Sequence, residues 1–213
     1  FITQVDLAKA ELYNRNYKKC LNILNDQIIL PAEGAQEGHD LYRQAHLLLA
    51  VEEYKNGKTE KALQNIAQAR EWPENLGVGK AYLTDERIED YLLGLILMSE
   101  KKDKLASQSF QKVIEYTRKN KPSWDSPYLL LAYSFQLLGQ EDSSVKILSD
   151  WMKANPKNPV VHWASAMYSN KTDQAERALS SYKDSAGGTP WNPGGGDAQF
   201  RLVYEIVNQI QLK

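Results

Sequence analysis

The chain has 213 residues, 42% apolar and 25% charged, with a formal net charge of −1. Such a composition excludes a disordered chain, and the charge balance offers no electrostatic basis for binding nucleic acid or an anionic membrane. One cysteine, Cys20, excludes an intrachain disulfide, and the longest apolar stretch, Tyr91-Leu92-Leu93-Gly94-Leu95-Ile96-Leu97-Met98, falls well short of the roughly 20 residues of a membrane span.

The chain opens at Phe1, with neither an initiating methionine nor a signal peptide. Residues 2–14 already read as a helix, so we expect a piece of a longer protein or a processed chain, soluble and without a targeting segment of its own. Helical pairs follow in order. They are predicted at 2–14 with 17–27, 41–55 with 59–70, 85–100 with 103–119, 126–138 with 141–154, and 159–169 with 172–183. The turns inside each pair are two or three residues long, as antiparallel helices require. Pro31, Pro73, Pro122 and Pro156 mark helix ends or restarts between pairs. Asp85 and Asp125/Ser126 are candidate N-caps, the latter followed by Pro127 in a first turn. Residues 184–196 hold Gly187-Gly188-Thr189-Pro190-Trp191-Asn192-Pro193-Gly194-Gly195-Gly196, which no helix survives. A last helix, 197–211, carries Phe200, Val203, Tyr204, Val207 and Ile210 at steps of three and four, so one stripe is to be buried. It either caps the open end of the array or lies along the concave face.

One unit recurs along this order. Its turns are Arg15-Asn16-Tyr17, Asn56-Gly57-Lys58, Lys101-Lys102-Asp103, Leu138-Gly139-Gln140 and Asn170-Lys171-Thr172. Each turn leads to a small residue near the start of the second helix: Cys20, Ala62, Ala106, Ser144 and Ala175. These are separated by 42, 44, 38 and 31 residues, the excess lying in the connectors 28–40 and 71–84. Twelve positions before them stand Ala8, Ala50, Gly94 and Ala132, and in the fifth unit Trp163 with Ala164 beside it. Two small residues let paired helices approach closely while large ones fill the groove to the next pair. A helical pair cannot bury its apolar face alone, so neighbours are expected to stack.

The fourth unit most closely resembles a tetratricopeptide repeat. Tyr128, Leu131, Ala132 and Phe135 occupy the family's first-helix places, Ser144, Leu148 and Trp151 those of the second, and Pro156 closes the unit. The second unit offers His46, Leu49, Ala50 and Glu53, then Ala62, Ile66, Ala69 and Pro73. The third offers Asp90, Leu93, Gly94 and Leu97, then Ala106, Phe110 and Val113. Glu53 and Asp90 depart from the pattern where an aromatic is expected, and Trp163 where a small residue is. The resemblance spans residues 1–183. It implies an all-α fold: a right-handed α-solenoid of about five helix pairs plus a terminal helix. A second, narrower resemblance rests on Trp72-Pro73-Glu74-Asn75-Leu76-Gly77-Val78-Gly79-Lys80 followed by Asp90-Tyr91-Leu92-Leu93-Gly94. This stretch is similar to a linker in a bacterial family, often from gut bacteroidetes, in which a mutarotase-like β-domain of unknown function precedes a tetratricopeptide array. It implies carbohydrate-linked chemistry upstream.

Residues suited to chemistry have plainer readings. Gly77-Val78-Gly79-Lys80 looks like a phosphate loop, but Glu74 stands at the first glycine place, Ala81 at the Ser/Thr place, and a helix precedes it, so we read a connector turn. His39, His46 and His162 fall in different units without metal-ligand spacing. The acids Asp85, Glu86, Glu89 and Asp90 crowd a helix start, where negative charge complements the dipole. The Asn170-Lys171-Thr172 sequon fills a turn. No enzyme, cofactor or metal site is expected. Tetratricopeptide relatives use the first helices for binding, and the face of those helices holds Tyr54, Tyr91, Leu95, Met98, Leu129 and Tyr133. The Lys, Arg and Asn with which many relatives grip a terminal carboxylate are mostly missing from it, so no such clamp is predicted. The resemblance therefore implies a non-catalytic protein-interaction or intramolecular scaffolding module of a larger bacterial protein. Its apolar face is to be covered by the final helix, an upstream domain or a partner helix. The alternative is a carbohydrate-associated accessory region using Trp72, Trp124 and above all Trp191, which either anchors its loop or stacks on a sugar.

Overall fold

A computed structural model describes residues 3–31, 36–120, 128–185 and 199–210. Among them are eleven α-helices, a short 3₁₀ turn, and no strand. The helices are α1 Gln4–Tyr13, α2 Tyr17–Asn25, α3 Gln36–Lys55, α4 Thr59–Ala69, α5 Arg87–Ser99, α6 Asp103–Lys119, α7 Tyr128–Leu137, α8 Glu141–Ala154, α9 Pro159–Tyr168, α10 Thr172–Ser185 and α11 Phe200–Gln209, with the 3₁₀ turn at Glu74–Leu76. The expected all-α class holds, and all five helical pairs are present. The expected caps at 125 and 126, the break at 122, the first-turn Pro127, and most of the Gly/Pro-rich loop lie outside the described residues.

The five turns share one geometry. In each, the residue after the first helix's C-cap takes a left-handed backbone: Arg15 (φ 62°), Gly57 (72°), Lys101 (58°), Gly139 (71°) and Asn170 (54°). The next residue then donates its N–H back to a carbonyl five positions earlier. The bonds are Asn16 to Glu11, Lys58 to Glu53, Lys102 to Leu97, Gln140 to Phe135 and Lys171 to Ala166, each 2.8 or 2.9 Å. This is a Schellman closure, which satisfies carbonyls left over at the helix end. The carbonyl of that same residue accepts the first bond of the second helix, from the N–H of Cys20, Ala62, Ala106, Ser144 or Ala175 at 3.0–3.2 Å. The small residues found in the sequence therefore sit at one fixed place, a turn into each second helix. Every one of them is at most 4% exposed.

Close approach is visible atom by atom. Ser144 Oγ donates to the Ala132 carbonyl, 2.7 Å away and twelve positions earlier. A Cβ added at Gly94 would lie 2.5 Å from the Phe110 ring. Ala8, Ala50 and Ala132 have no exposed surface.

The chain divides into two compact units, Phe1–Glu89 with Gln209–Lys213, and Asp90–Asn208. In the first, α1 pairs with α2 and α3 with α4, while α3 also packs on α2 and on α1. In the second, α7 pairs with α8 and α9 with α10, while α7 packs on α6, and α9 on both α8 and α7. Each unit thus sets first helices side by side and lays a second helix against the next first helix.

α3 begins at Gln36, five residues before the predicted start. The extra turn is held by packing that periodicity cannot show. Gly38 lies where a Cβ would meet Ile29 Cδ1 at 2.5 Å, and the His39 ring stacks on Trp72 with centroids 3.6 Å apart.

Candidate functional site

The face singled out in the sequence divides between the units. Tyr54, near the end of α3, is half-buried and belongs to the first unit. Tyr91, Leu95 and Met98 on α5 and Leu129 and Tyr133 on α7 belong to the second. There Tyr91 is 2% exposed, Leu95 4%, Leu129 0% and Tyr133 8%, whereas Met98 is 36% exposed. Most of this face is therefore interior.

Its centre is a row of rings in the second unit. Tyr91 and Tyr133 lie 6.4 Å apart between centroids, and Tyr133 and Tyr168 5.5 Å. The three come from α5, α7 and α9, the first helices of successive pairs. Phe110 of α6 backs Tyr91 at 5.9 Å. Offset and tilted pairs at such spacings are favourable for aromatic quadrupoles. Burial raises the Tyr91 hydroxyl well above its ordinary pKa. Burial, with Tyr168 beside it, pushes Tyr133 up to about 12. Both stay neutral phenols at physiological pH. α7 shows why the row is dry: every residue from Tyr128 to Phe135 is buried, the mark of a helix apolar all round.

α11 is equally enclosed. Phe200, Leu202, Val203 and Ile206 are at most 1% exposed and Val207 9%, and even Arg201 and Glu205 are buried. Phe200 meets Trp163 of α9 edge-on at 5.0 Å and Tyr182 of α10 at 4.7 Å. Tyr204 meets Trp163 at 5.9 Å. Trp163 stands at the place that Ala8, Ala50, Gly94 and Ala132 hold in the other pairs, and its ring is spent on α11. Sequence reasoning missed Tyr168 as part of the ring row and Trp163 and Tyr182 as the seat of α11. The signal was present: a tryptophan where the repeat demands a small residue needs something large to pack on.

The first unit gathers charge instead. Asp85 Oδ1 accepts the Arg87 N–H at 3.1 Å, and the Arg87 guanidinium closes on the same carboxylate at 3.0 and 2.7 Å. Arg43 is bidentate on Glu89, with Nη2 2.7 Å from Oε2, and also donates to the Asp85 carbonyl at 3.0 Å. Arg70 and Lys80 both bind Glu86, the lysine at 2.9 Å. Burial alone would raise Asp85 and Glu86. The hydrogen bonds and charges of Arg87 on one, and of Lys80 and Arg70 on the other, outweigh it and hold both below their ordinary values. Glu53, where the repeat pattern expected an aromatic, is buried and forms an ion pair with Lys58 at 3.2 Å.

The remaining candidates are also engaged. In the phosphate-loop look-alike, Gly77 follows the 3₁₀ turn at φ 73° and donates its N–H to the Glu74 carbonyl at 3.1 Å. A Cβ there would stand 2.3 Å from the Ile29 carbonyl oxygen. Asn75 donates to the carbonyls of Leu24 and Gln27 at 3.0 and 2.8 Å, closing the end of α2, and Leu76 is 1% exposed. The stretch 72–80 is a clasp between the first two helical pairs. His39 Nε2 donates to the Glu71 carbonyl at 3.2 Å, His46 Nδ1 to Asn65 Oδ1 at 2.8 Å, and His162 Nε2 to the Pro156 carbonyl at 2.7 Å. Trp72 gives one ring face to His39, and Trp124 and Trp191 lie outside the described residues. Among the described residues no helix is long and apolar enough to cross a membrane.

Compared with known proteins, the chain matches no family model, no curated protein and no solved structure.

Proposed function

We propose that the chain is a non-catalytic interaction and intramolecular scaffolding module of the tetratricopeptide kind, a right-handed solenoid of five helix pairs within a larger bacterial protein. On this reading, the end of the array formed by Trp163 of α9 and Tyr182 of α10 is a helix-binding surface, and α11 is its resident occupant. The observation that carries the proposal is the enclosure of α11, a ten-residue helix with residues buried on nearly every side and two rings set against Trp163. Amphipathic helices bind grooves through such residues at steps of three and four, and the recurrent turn favours the repeat reading.

The test removes α11 and returns it as a separate molecule. The chain ending at Ser185 should stay helical by circular dichroism and bind a fluorescent peptide of residues 197–211 saturably, while the full chain binds it far more weakly. Tyr133→Phe keeps the volume and should preserve peptide binding, and Trp163→Ala should abolish it. A folded truncation that ignores the peptide would end the proposal.

A further inference from the structure

Apart from the aromatic face, α9 and α10 border an open groove of about 490 Å³, lined by Lys157, Pro159, His162, Gln174, Arg177 and Ala178 together with Ser181. That volume falls in the range of small-molecule sites. No carboxylate lines it. Neither Lys157 nor Arg177 forms an ion pair among the described residues, in contrast to Lys9 with Glu37, Lys58 with Glu53 and Lys146 with Asp150. Residues 174, 177, 178 and 181 follow helical steps of three and four, so α10 turns one face to the groove.

Its donors are sorted by what they already do. Ser181 Oγ is spent on the Arg177 carbonyl at 3.1 Å. His162 Nε2 is spent on the Pro156 carbonyl, so this ring serves the groove as a wall rather than as a donor. Arg177 brings a planar fork that matches two oxygens of an oxyanion, and Lys157 a compact point charge. Gln174 adds an amide. Two cations in a groove that no carboxylate lines, the acids Asp173 and Glu176 of α10 standing outside the lining, call for an anionic group, and a phosphate monoester carries about two negative charges near neutral pH. Pro159 and Ala178 give the groove an apolar portion, and it is far larger than a lone phosphate needs. We infer that this groove binds a small phosphomonoester, its phosphate between Lys157 and Arg177 and its organic part against Pro159 and Ala178. The whole-chain charge of −1 makes this a local arrangement, not a consequence of a basic protein.

The test is a titration of the full chain at constant ionic strength with phenyl phosphate and, separately, with inorganic phosphate. It follows the Arg177 Nε–H and His162 ring signals by NMR. Saturable shifts at these two residues are expected, with phenyl phosphate binding several-fold tighter. Because a charge-assisted hydrogen bond is at stake, Arg177→Gln should weaken binding about tenfold or more. Arg177→Lys should restore part of it, and both exposed substitutions should leave the circular-dichroism spectrum unchanged. Equal affinity for the two phosphates would overturn the ester assignment. Shifts spread evenly over other surface cations such as Lys61 and Lys104, or unchanged affinity in Arg177→Gln, would overturn the site.

Discussion

The two compact units use the same hairpin but hold it with different chemistry. At the carbonyl that closes each turn, the first unit has Glu11 and Glu53. The Glu11 side chain accepts from Asn16 at 2.7 Å, and Glu53 forms an ion pair with Lys58 at 3.2 Å. The same place in the second unit holds Leu97, Phe135 and Ala166, all buried and apolar. Further in, the first unit closes on Arg43, Glu89, Asp85 and Arg87, and the second on the row Tyr91, Tyr133 and Tyr168. The turn geometry therefore does not depend on either glue. It follows from a left-handed residue and two small ones, and the remaining positions are free to be polar or aromatic. Apolar turns and rings build a dry interior, whereas a charged clasp consumes its own side chains.

The largest expected effects separate the two. Arg43→Ala strands Glu89, whose side chain is 1% exposed, and should cost about 3–5 kcal/mol. Replacing both partners, Arg43→Met with Glu89→Leu, should recover most of that loss, because no charge is then left buried without its partner. Trp163→Ala should cost a similar ~3–5 kcal/mol as a cavity, with no polar partner whose removal can rescue it. Denaturant melts give the sizes, and hydrogen exchange gives the place: residues 200–209 should lose protection in Trp163→Ala alone. Equal rescue in both units, or none in either, would erase the distinction.

Acid should divide the units next. Burial lowers the pKa of His39 and His46 despite their hydrogen bonds. A depressed folded pKa contributes stability above the unfolded value, lost as pH falls, so the first unit should weaken below about pH 6.5. Asp85 and Glu86, also depressed, add a further loss below about pH 4. In the second unit the depressed carboxylate Asp150 sits in an exposed pair with Lys146, which contributes little. Alkali works with the opposite sign. Tyr91 and Tyr133 are raised, so their contribution is intact below about pH 10 and lost as pH climbs through the folded values. Tyr42 of the first unit is raised by burial as well, so the acid limb is the one that discriminates. Hydrogen exchange between pH 7 and pH 4 should show residues 36–89 opening before residues 128–168.

Smaller effects probe the close approach common to both units. Gly94→Ala gains about 1 kcal/mol of helix propensity but pushes a methyl to 2.5 Å from the Phe110 ring, an overpacking cost of about 1–3 kcal/mol. The net should be a loss of about 1 kcal/mol. Ser144→Ala removes the bond to Ala132 and should also cost about 1 kcal/mol. Thermal melts suffice for both. A stabilised Gly94→Ala would mean the helices can part there at no cost.

These places were legible because the repeat writes them in residue size. The five turns, the ten helices of the pairs and the close approach at Gly94 all follow from small side chains at fixed distances from a turn. The acid cluster was legible as a helix start, but its partners Arg43 and Arg70 were not, since they come from α3 and from just beyond α4. The start of α3 was missed because Gln36-Glu37-Gly38-His39 carries no apolar period; its helix is held by Trp72 and Ile29 through space. The seat of α11 was half legible. The stripe on Phe200, Val203, Tyr204 and Val207 announced burial, while Leu202 and Ile206 on another side, with Trp163 across from them, became meaningful only once the helix was seen enclosed.

The smallest effect is the most exacting test of the shared turn. Arg15, Lys101 and Asn170 take the left-handed backbone that Gly57 and Gly139 adopt without a Cβ penalty. A non-glycine residue is disfavoured there by about 1–2 kcal/mol, and glycine returns about 0.4–1 kcal/mol of that through the greater freedom of the unfolded chain. Lys101→Gly should therefore stabilise by about 0.5–1 kcal/mol, and Arg15→Gly by a similar amount. Asparagine enters this region more readily than other side chains, so Asn170→Gly should gain less than either. Lys101 lies in the second unit and Arg15 in the first. If the turn is indifferent to its surroundings, the two gains match within the error of a melt. A gain confined to one of them would show that the local glue, charged or aromatic, reaches into the turn itself.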